Sequence, residues 1–312
     1  MHRQGVAVYA AWMSGGVAVR ANLLCVTWSS AQGHVFLFDL EAGVRLSQWT
    51  MPAAPGGWSD AAGVVIDEHF SVYVADPHQD RVRCFSAFGR HLADFGRSAV
   101  GDGDAARDRL GVLHQPLAVA LVGDDLLVVH GELPRRLAVQ RFARDGRPGK
   151  ALACLGDPDA KFAGPQGVAT DAGGIYVADT GAGRIQRFLP DGRFVAAVRC
   201  GEVGEAARPV AVWPRQGGKE LVAIDRGDRP GVFVVDLSGR RRGVPEMAER
   251  LQQPVALAGD AAGRIYVLDR GGERVVRFAP DLRFDAELVD LVEFLDDYQP
   301  PGHPPPGGTG QP

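Results

Sequence analysis

Cysteine is scarce in this sequence: four in 312 residues, at 25, 84, 154 and 200. None stands in a C-x-x-C spacing, so neither a disulfide framework nor a zinc-binding cluster is encoded, and the four are expected as isolated thiols. An excess of basic charge is also missing. Lys and Arg number 34 against 38 Asp and Glu, for a formal net charge of -4. A surface built for a nucleic-acid backbone needs a basic stripe, so no nucleic-acid partner is expected. No long hydrophobic run is present either. The uncharged stretch from Gly5 to Val19 covers 15 residues, short of the ~20 that span a bilayer. Residues 13–16 (MSGG) interrupt it, and cutting it as a leader would damage the first repeat described below. No membrane association and a cytoplasmic product are therefore expected.

The usual signatures of cofactor and nucleophile chemistry are absent or broken. No G-x-S-x-G element occurs. Residues 101–106 (GDGDAA) match G-x-G-x-x-A, but Asp102 and Asp104 would repel a pyrophosphate and no strand–turn–helix context surrounds them. Taking Asp102 as the first ligand of a calcium loop puts Leu113 where the bidentate glutamate belongs. No cofactor and no metal are expected.

What the sequence has is a repeat. Its 41 glycines and 21 prolines are spread along the chain as turn markers. Residues 63–67 (GVVID) lead to 72–76 (VYVAD) and 81–85 (RVRCF). Residues 167–171 (GVATD) lead to 175–179 (IYVAD) and 184–188 (RIQRF). Residues 255–260 (VALAGD) lead to 265–269 (IYVLD) and 274–278 (RVVRF). Short apolar or alternating runs between Asp/Gly turns are the pattern of strands. Looser copies begin near Gly16, Leu117 and Val210. Aligning the second run of each copy gives Leu24, Tyr73, Leu127, Tyr176, Val222 and Tyr266, at steps of 49, 54, 49, 46 and 44 residues. Four strands in about 45 residues, six times over, predicts an all-β, six-bladed β-propeller with four-stranded antiparallel blades.

Residues 165–179 (PQGVATDAGGIYVAD), followed by 184–188 (RIQRF), resemble an NHL repeat. The resemblance extends over about 16–288, closest in blades two, four and six. It implies one propeller domain over 1–298, with a Pro/Gly-rich disordered tail over 299–312. Within it, small residues of the first strands (Gly63, Ala118, Gly167, Ala211, Ala256) suit the crowded axis. Asp76, Asp179, Asp225 and Asp269 suit turns that need a carboxylate to accept backbone N–H groups. The apolar spacing 288, 291, 292, 295 reads as a short C-terminal helix. Residues 5–12 read as an additional strand, and either terminus as a clasp.

The resemblance specifies fold better than activity, since NHL propellers include binding modules, lyases and sensors. Amidating lyases similar to this fold gather histidines near the starts of the inner strands. The matching positions here are Ser59, His114, Ala163, Ala207 and Gln252, a single imidazole where a catalytic zinc takes three protein ligands. The expectation is a non-catalytic, monomeric interaction scaffold that binds a protein or small ligand through loops on one face. The candidate binding residues are His78, Gln79, His114, Gln115, Glu132, Arg135, Arg136, Thr180, Arg226, Asp228, Arg229, Arg270 and Glu273. The alternative is a metal-dependent lyase or lactonase-like enzyme at the channel mouth.

Overall fold

The computed structural model describes residues 15–30, 32–53, 58–98, 109–131, 138–152, 161–202 and 204–291. Within them the 45-residue period becomes six antiparallel sheets around a central channel: the chain is an all-β, six-bladed propeller. Blade one is β1 (Gly15–Arg20), β2 (Leu23–Ser29), β3 (Gly33–Asp39) and β4 (Val44–Thr50). Blade two is β5 (Val64–Ile66), β6 (Val72–Asp76), β7 (Arg81–Phe85) and β8 (His91–Phe95). A small parallel pair, β9 (Arg97–Ser98) with β10 (Val112–Leu113), joins it to blade three. That blade has β11 (Pro116–Val122), β12 (Asp125–His130) and β13 (Val139–Phe142). A bridge from Phe142 to Pro148 and bonds from Gly149 N–H to Arg141 and Leu152 N–H to Val139 fill its fourth place.

Blade four is β14 (Pro165–Asp171), β15 (Gly174–Asp179), β16 (Arg184–Phe188) and β17 (Phe194–Arg199). Blade five is β18 (Pro209–Arg215), β19 (Glu220–Asp225), β20 (Gly231–Asp236) and β21 (Arg241–Gly243). Blade six is β22 (Pro254–Gly259), β23 (Ile265–Asp269), β24 (Arg274–Phe278) and β25 (Phe284–Asp290).

The core lies between blades, because each second strand is buried on both faces. In blade two, Val72 and Val74 pack toward blade one, while Tyr73 and Ala75 pack toward blade three. Tyr73, Tyr176 and Tyr266 are all buried, as their shared position in the repeat requires. Each phenol also finds a carboxylate in its own first-to-second-strand turn: Asp67 at 3.1 Å, Asp171 at 3.4 Å and Asp260 at 3.0 Å. An aromatic at this position thus fills inter-blade space and ties down the turn with its polar end.

Blade one departs from the aligned register. Leu24 packs toward blade six, with Tyr266 and Leu268. Cys25 is the residue facing blade two, so it is the true counterpart of Tyr73. One residue of slip reverses the face of a strand side chain. Blade one lacks the terminal aspartate that fixes the alignment in blades two, four, five and six, and Trp28 stands in its place.

Where the inner strands abut, small residues are compulsory. A Cβ on Gly63 would lie 2.7 Å from Ala118 Cα, and one on Gly167 would lie 2.5 Å from the Val210 carbonyl oxygen. Gly63 N–H donates across this contact to the Leu117 carbonyl at 2.9 Å.

Blades one and six close the ring by packing. Every described blade is one continuous stretch of chain, and among the described residues no strand is exchanged between blades. Leu24, Val26 and Trp28 interdigitate with Tyr266, Leu268 and Val275. Arg270 of blade six lays its guanidinium 4.5 Å from the centre of the Trp28 ring and donates to the Ser29 carbonyl at 2.9 Å.

The C-terminal region differs from the sequence reading. Leu288 to Asp290, expected to open a helix, complete the outer strand β25, and the rest of the expected helix lies outside the described residues. A helix that the sequence reading lacked occurs instead between blades five and six, α1 (Pro245–Arg250), with Pro245 in its first turn and Met247 buried. The clasping strand over 5–12 and the tail over 299–312 also fall outside the described residues. No described helix is long and apolar enough to cross a membrane.

Candidate functional site

Strand direction alternates within each blade, so the loops leading into the inner strands emerge on the same face as those between second and third strands. Beneath this face lies a layer of buried carboxylates. Asp179 accepts the Ala163 N–H at 2.8 Å, Arg184 Nε at 3.1 Å and Gln186 Nε2 at 3.0 Å. Asp225 accepts the Arg208 N–H at 2.7 Å, the Gly227 N–H at 2.8 Å and Arg241 Nη1 at 2.7 Å. Asp269 accepts the Gln253 N–H at 2.7 Å and faces Arg274 Nε at 3.4 Å. Asp76 takes the Ser59 hydroxyl at 2.5 Å and the Asp60 N–H at 3.1 Å, with Arg83 Nε at 3.3 Å. Burial pushes the Asp76 carboxyl up, against the pull of Ser59, Asp60 and Arg83. In blades two, four, five and six the buried aspartates therefore pin the inner-strand loops, each with an arginine of its own blade beside it. Their role is architectural.

Two blades lack the aspartate. In blade three His130 takes its place, and its Nδ1 accepts the His114 N–H at 3.2 Å. In blade one the place falls to Trp28, paired with Gly15 in the ladder. The residues one step further along form a second tier. Ser29 donates through its hydroxyl to Asp60 of blade two, and Thr180 donates to the Pro209 carbonyl of blade five at 2.6 Å. Arg270 reaches blade one as described. Arg226, the equivalent residue of blade five, is half-buried. Burial, and then the neighbouring positive charge of Arg270, pull its guanidinium below the ordinary arginine value.

His78 is exposed on the turn after β6. Arg229 is exposed and pairs with Glu205 at 3.0 Å, while Asp228 accepts the Ala206 N–H at 3.0 Å. His114 and Gln115 meet Asp80: Gln115 donates its N–H to Asp80 Oδ1 at 2.8 Å, and His114 Nδ1 lies 3.8 Å from the same oxygen. Gln79 donates through its side chain to the Trp58 carbonyl at 2.6 Å. Thr180 is buried and its hydroxyl is used between blades, so it belongs to the scaffold beneath the face. Glu132, Arg135 and Arg136 lie outside the described residues. The structure therefore brings His114 and Gln115 to Asp80, while the charge of Arg270 acts on Arg226. Sequence reasoning passed over Trp28, Asp60 and Asp80. Trp28 was detectable in principle, as the aromatic standing where four blades carry Asp.

The channel wall combines apolar side chains with polar backbone groups. Val65, Val168, Ala211, Trp213 and Ala256 line a space of about 320 Å³, with Gln166 and Thr170 on its wall. Among the described residues no three His, Cys, Asp or Glu side chains come together as a metal site would require. The buried thiols are held protonated by desolvation, that of Cys200 pushed up to about 12.

Among curated proteins no sequence match was found. The NHL-repeat family model matches residues 162–188. Solved propellers superpose over most of the chain. A structure of the nidogen/laminin complex gives a TM-score of 0.59 at 17% identity, covering 86% of this chain and 91% of that one. Virginiamycin B lyase from Staphylococcus aureus gives 0.58 at 12% identity, covering 88% and 83%. The periplasmic gluconolactonase of Pseudomonas aeruginosa gives 0.55 at 17% identity, covering 88% and 84%. These likenesses are of fold, and they include enzymes as well as a complex between two proteins. The chain is thus a six-bladed β-propeller, and one repeat, in its fourth blade, matches the NHL-repeat model.

Proposed function

We propose that this propeller is a binding scaffold whose loop-bearing face engages a protein or a small ligand. One observation carries the reading. Directly above the satisfied carboxylate layer, the face presents Arg226, a half-buried guanidinium that pairs with no described carboxylate, on a loop held by hydrogen bonds to the buried Asp225. Recognition groups on loops of a rigid frame are a common binding arrangement. The superposition on a chain of the nidogen/laminin complex supports it in kind, since that structure is a protein–protein complex.

The second reading is a lyase or lactonase-like enzyme at the channel mouth, favoured by the likeness to two such enzymes. The residues at the inner-strand starts favour the scaffold. Ser59 donates to Asp76, and Ala163 and Gln252 give their backbone N–H groups to the buried aspartates.

Selecting a displayed random peptide library on the immobilised protein tests the proposal. Binders should lose affinity at least tenfold when Arg226 or Arg229 becomes Ala, and keep it when Arg242 on the outer strand of blade five does. Truncating a central arginine typically costs ~2 kcal/mol or more. Binders that map to the outer strands would overturn the reading. So would hydrolysis of glucono-1,5-lactone, or opening of virginiamycin B, by metal-loaded protein.

A further inference from the structure

Blade two breaks the repeat twice on the face opposite the loop-bearing one, where the turns between first and second strands and between third and fourth strands emerge. The first of these turns carries Phe70. Its N–H donates to the Asp67 carbonyl at 3.1 Å, and the Asp67 N–H donates to the Ser71 carbonyl at 3.0 Å. Gly263 and Asp260 make the same two bonds in blade six. Phe70 therefore stands where blade six has glycine, in the same left-handed backbone, with φ of 60° against 83°. A bulky side chain is strained there and glycine is not.

The second turn carries Phe88. It takes the place of Asp145, Asp191 and Asp281, each of which accepts the backbone N–H two residues further on. In blade two that N–H belongs to Arg90 and goes to the Ser86 hydroxyl at 3.2 Å, which leaves the Phe88 ring without a part in the turn. The ring is 84% exposed, and that of Phe70 is 42% exposed. Apolar surface left in water contributes little to folding, and one of the two rings is kept against backbone strain. Features of that kind point to contact outside the chain.

Both turns are firmly held. Asp67 accepts the N–H groups of His69 at 2.9 Å and Ser71 at 2.8 Å, and the Tyr73 hydroxyl as well. Ser47 of blade one donates to the Ala87 carbonyl at 2.5 Å, and a Cβ on Gly89 would lie 2.9 Å from the Trp49 indole. The two rings are therefore pre-mounted anchors with few torsions to lose on binding.

Size and spacing select the occupant. The rings offer roughly 250 Å² of apolar surface, with Leu46, next to Ser47, adding to it. A stable contact between two folded proteins buries about 800 Å² on each side, so the patch is too small for a second copy and suits a short segment. The turns lie two strand spacings apart, about 10 Å. In polyproline II the same side recurs every third residue, after about 9 Å, so prolines at i and i+3 can each meet a ring. Such a segment arrives already ordered, and a small aromatic surface is enough to hold it.

We infer that the face opposite the loop-bearing one carries a docking surface in which Phe70 and Phe88 receive a proline-rich segment of another protein. This surface is independent of the reading of the loop-bearing face.

The test is fluorescence anisotropy on the full chain with a fluorescein-labelled APPAPPAPPA peptide, and an AGGAGGAGGA peptide as control. The proline peptide should bind, and the glycine peptide at least tenfold more weakly. Phe88→Asp and Phe70→Gly, which introduce residue types that other blades carry, should each weaken binding roughly tenfold or more. Thermal melting should show both variants at least as stable as wild type. Leu237→Ser, on the matching turn of blade five, should leave binding unchanged. The inference is overturned if the proline peptide fails to bind at millimolar protein, if the glycine peptide binds equally well, or if neither phenylalanine substitution weakens binding. Sedimentation velocity examines the other occupant: self-association abolished by Phe88→Asp would make the patch a contact between copies and overturn the inference too.

Discussion

Single residues in this repeat do two jobs, and the sequence displayed only one of them. The burial of Tyr73, Tyr176 and Tyr266 was legible, because an aromatic in an I/V-Y-V run has only inter-blade space to fill. Their bonds to Asp67, Asp171 and Asp260 were not, since the partners lie five or six residues away across a turn whose closure no spacing reveals. Tyr266 is the sharpest case. Burial, then its bond to Asp260, push its phenol up to about 12. Asp260 in turn is held below the usual carboxylate value: burial pushes it up, but bonds from Arg264 and Tyr266 outweigh that. A carboxyl depressed in the folded state contributes stability above its unfolded pKa, and that contribution is lost as pH falls through the folded value. Tyr266→Phe should therefore cost about 1–2 kcal/mol near neutral pH. The difference from wild type should shrink as the pH drops below about 4. Urea melts at pH 7 and pH 3 would check both; an equal loss at the two values would count against the bond.

At the scale of elements, the blades with a complete Gly…Asp…Arg frame were readable from sequence and those without it were not fully so. Blade one was placed one residue out because Trp28 stands where four of the other blades end the second strand with aspartate. Helix α1 was missed because six residues are too few to show a period, though Pro245 at its start is a known first-turn signal. The inner strands, by contrast, were readable down to single positions. Gly63 and Gly167 are small because the next blade's backbone lies against them. Gly63→Val should destabilise by about 1–3 kcal/mol through overpacking. Val65→Ala, on the channel wall of the same blade, should cost less, because its side chain is only half-buried. Chemical denaturation of the two variants settles the order, and a larger loss at Val65 would mean the contact between inner strands yields easily.

Across the whole molecule, the sequence announced a ring but not how it is fastened, nor which loops are more than rim. Periodicity reports what every blade shares, whereas Arg226, Arg270 and Trp28 matter because they break the repeat. The fastening has a kinetic side. Thr180 meets Pro209 across a blade interface from 29 residues away, but Arg270 meets Ser29 from 241. Loop-closure entropy grows as the logarithm of that separation, so the closing contact starts about 2 kcal/mol behind. With no exchanged strand among the described residues, side-chain packing and one stacked cation have to make up the difference. Amide hydrogen exchange should find β2 and β23 less protected than β15 and β19, and Arg270→Ala should widen that gap selectively. Uniform protection, or a uniform response to the substitution, would show that the seam is no weaker than the rest. If it is weaker, this protein behaves mechanically as a split washer: five welded joints and one sprung gap, where the ring first parts under heat or load.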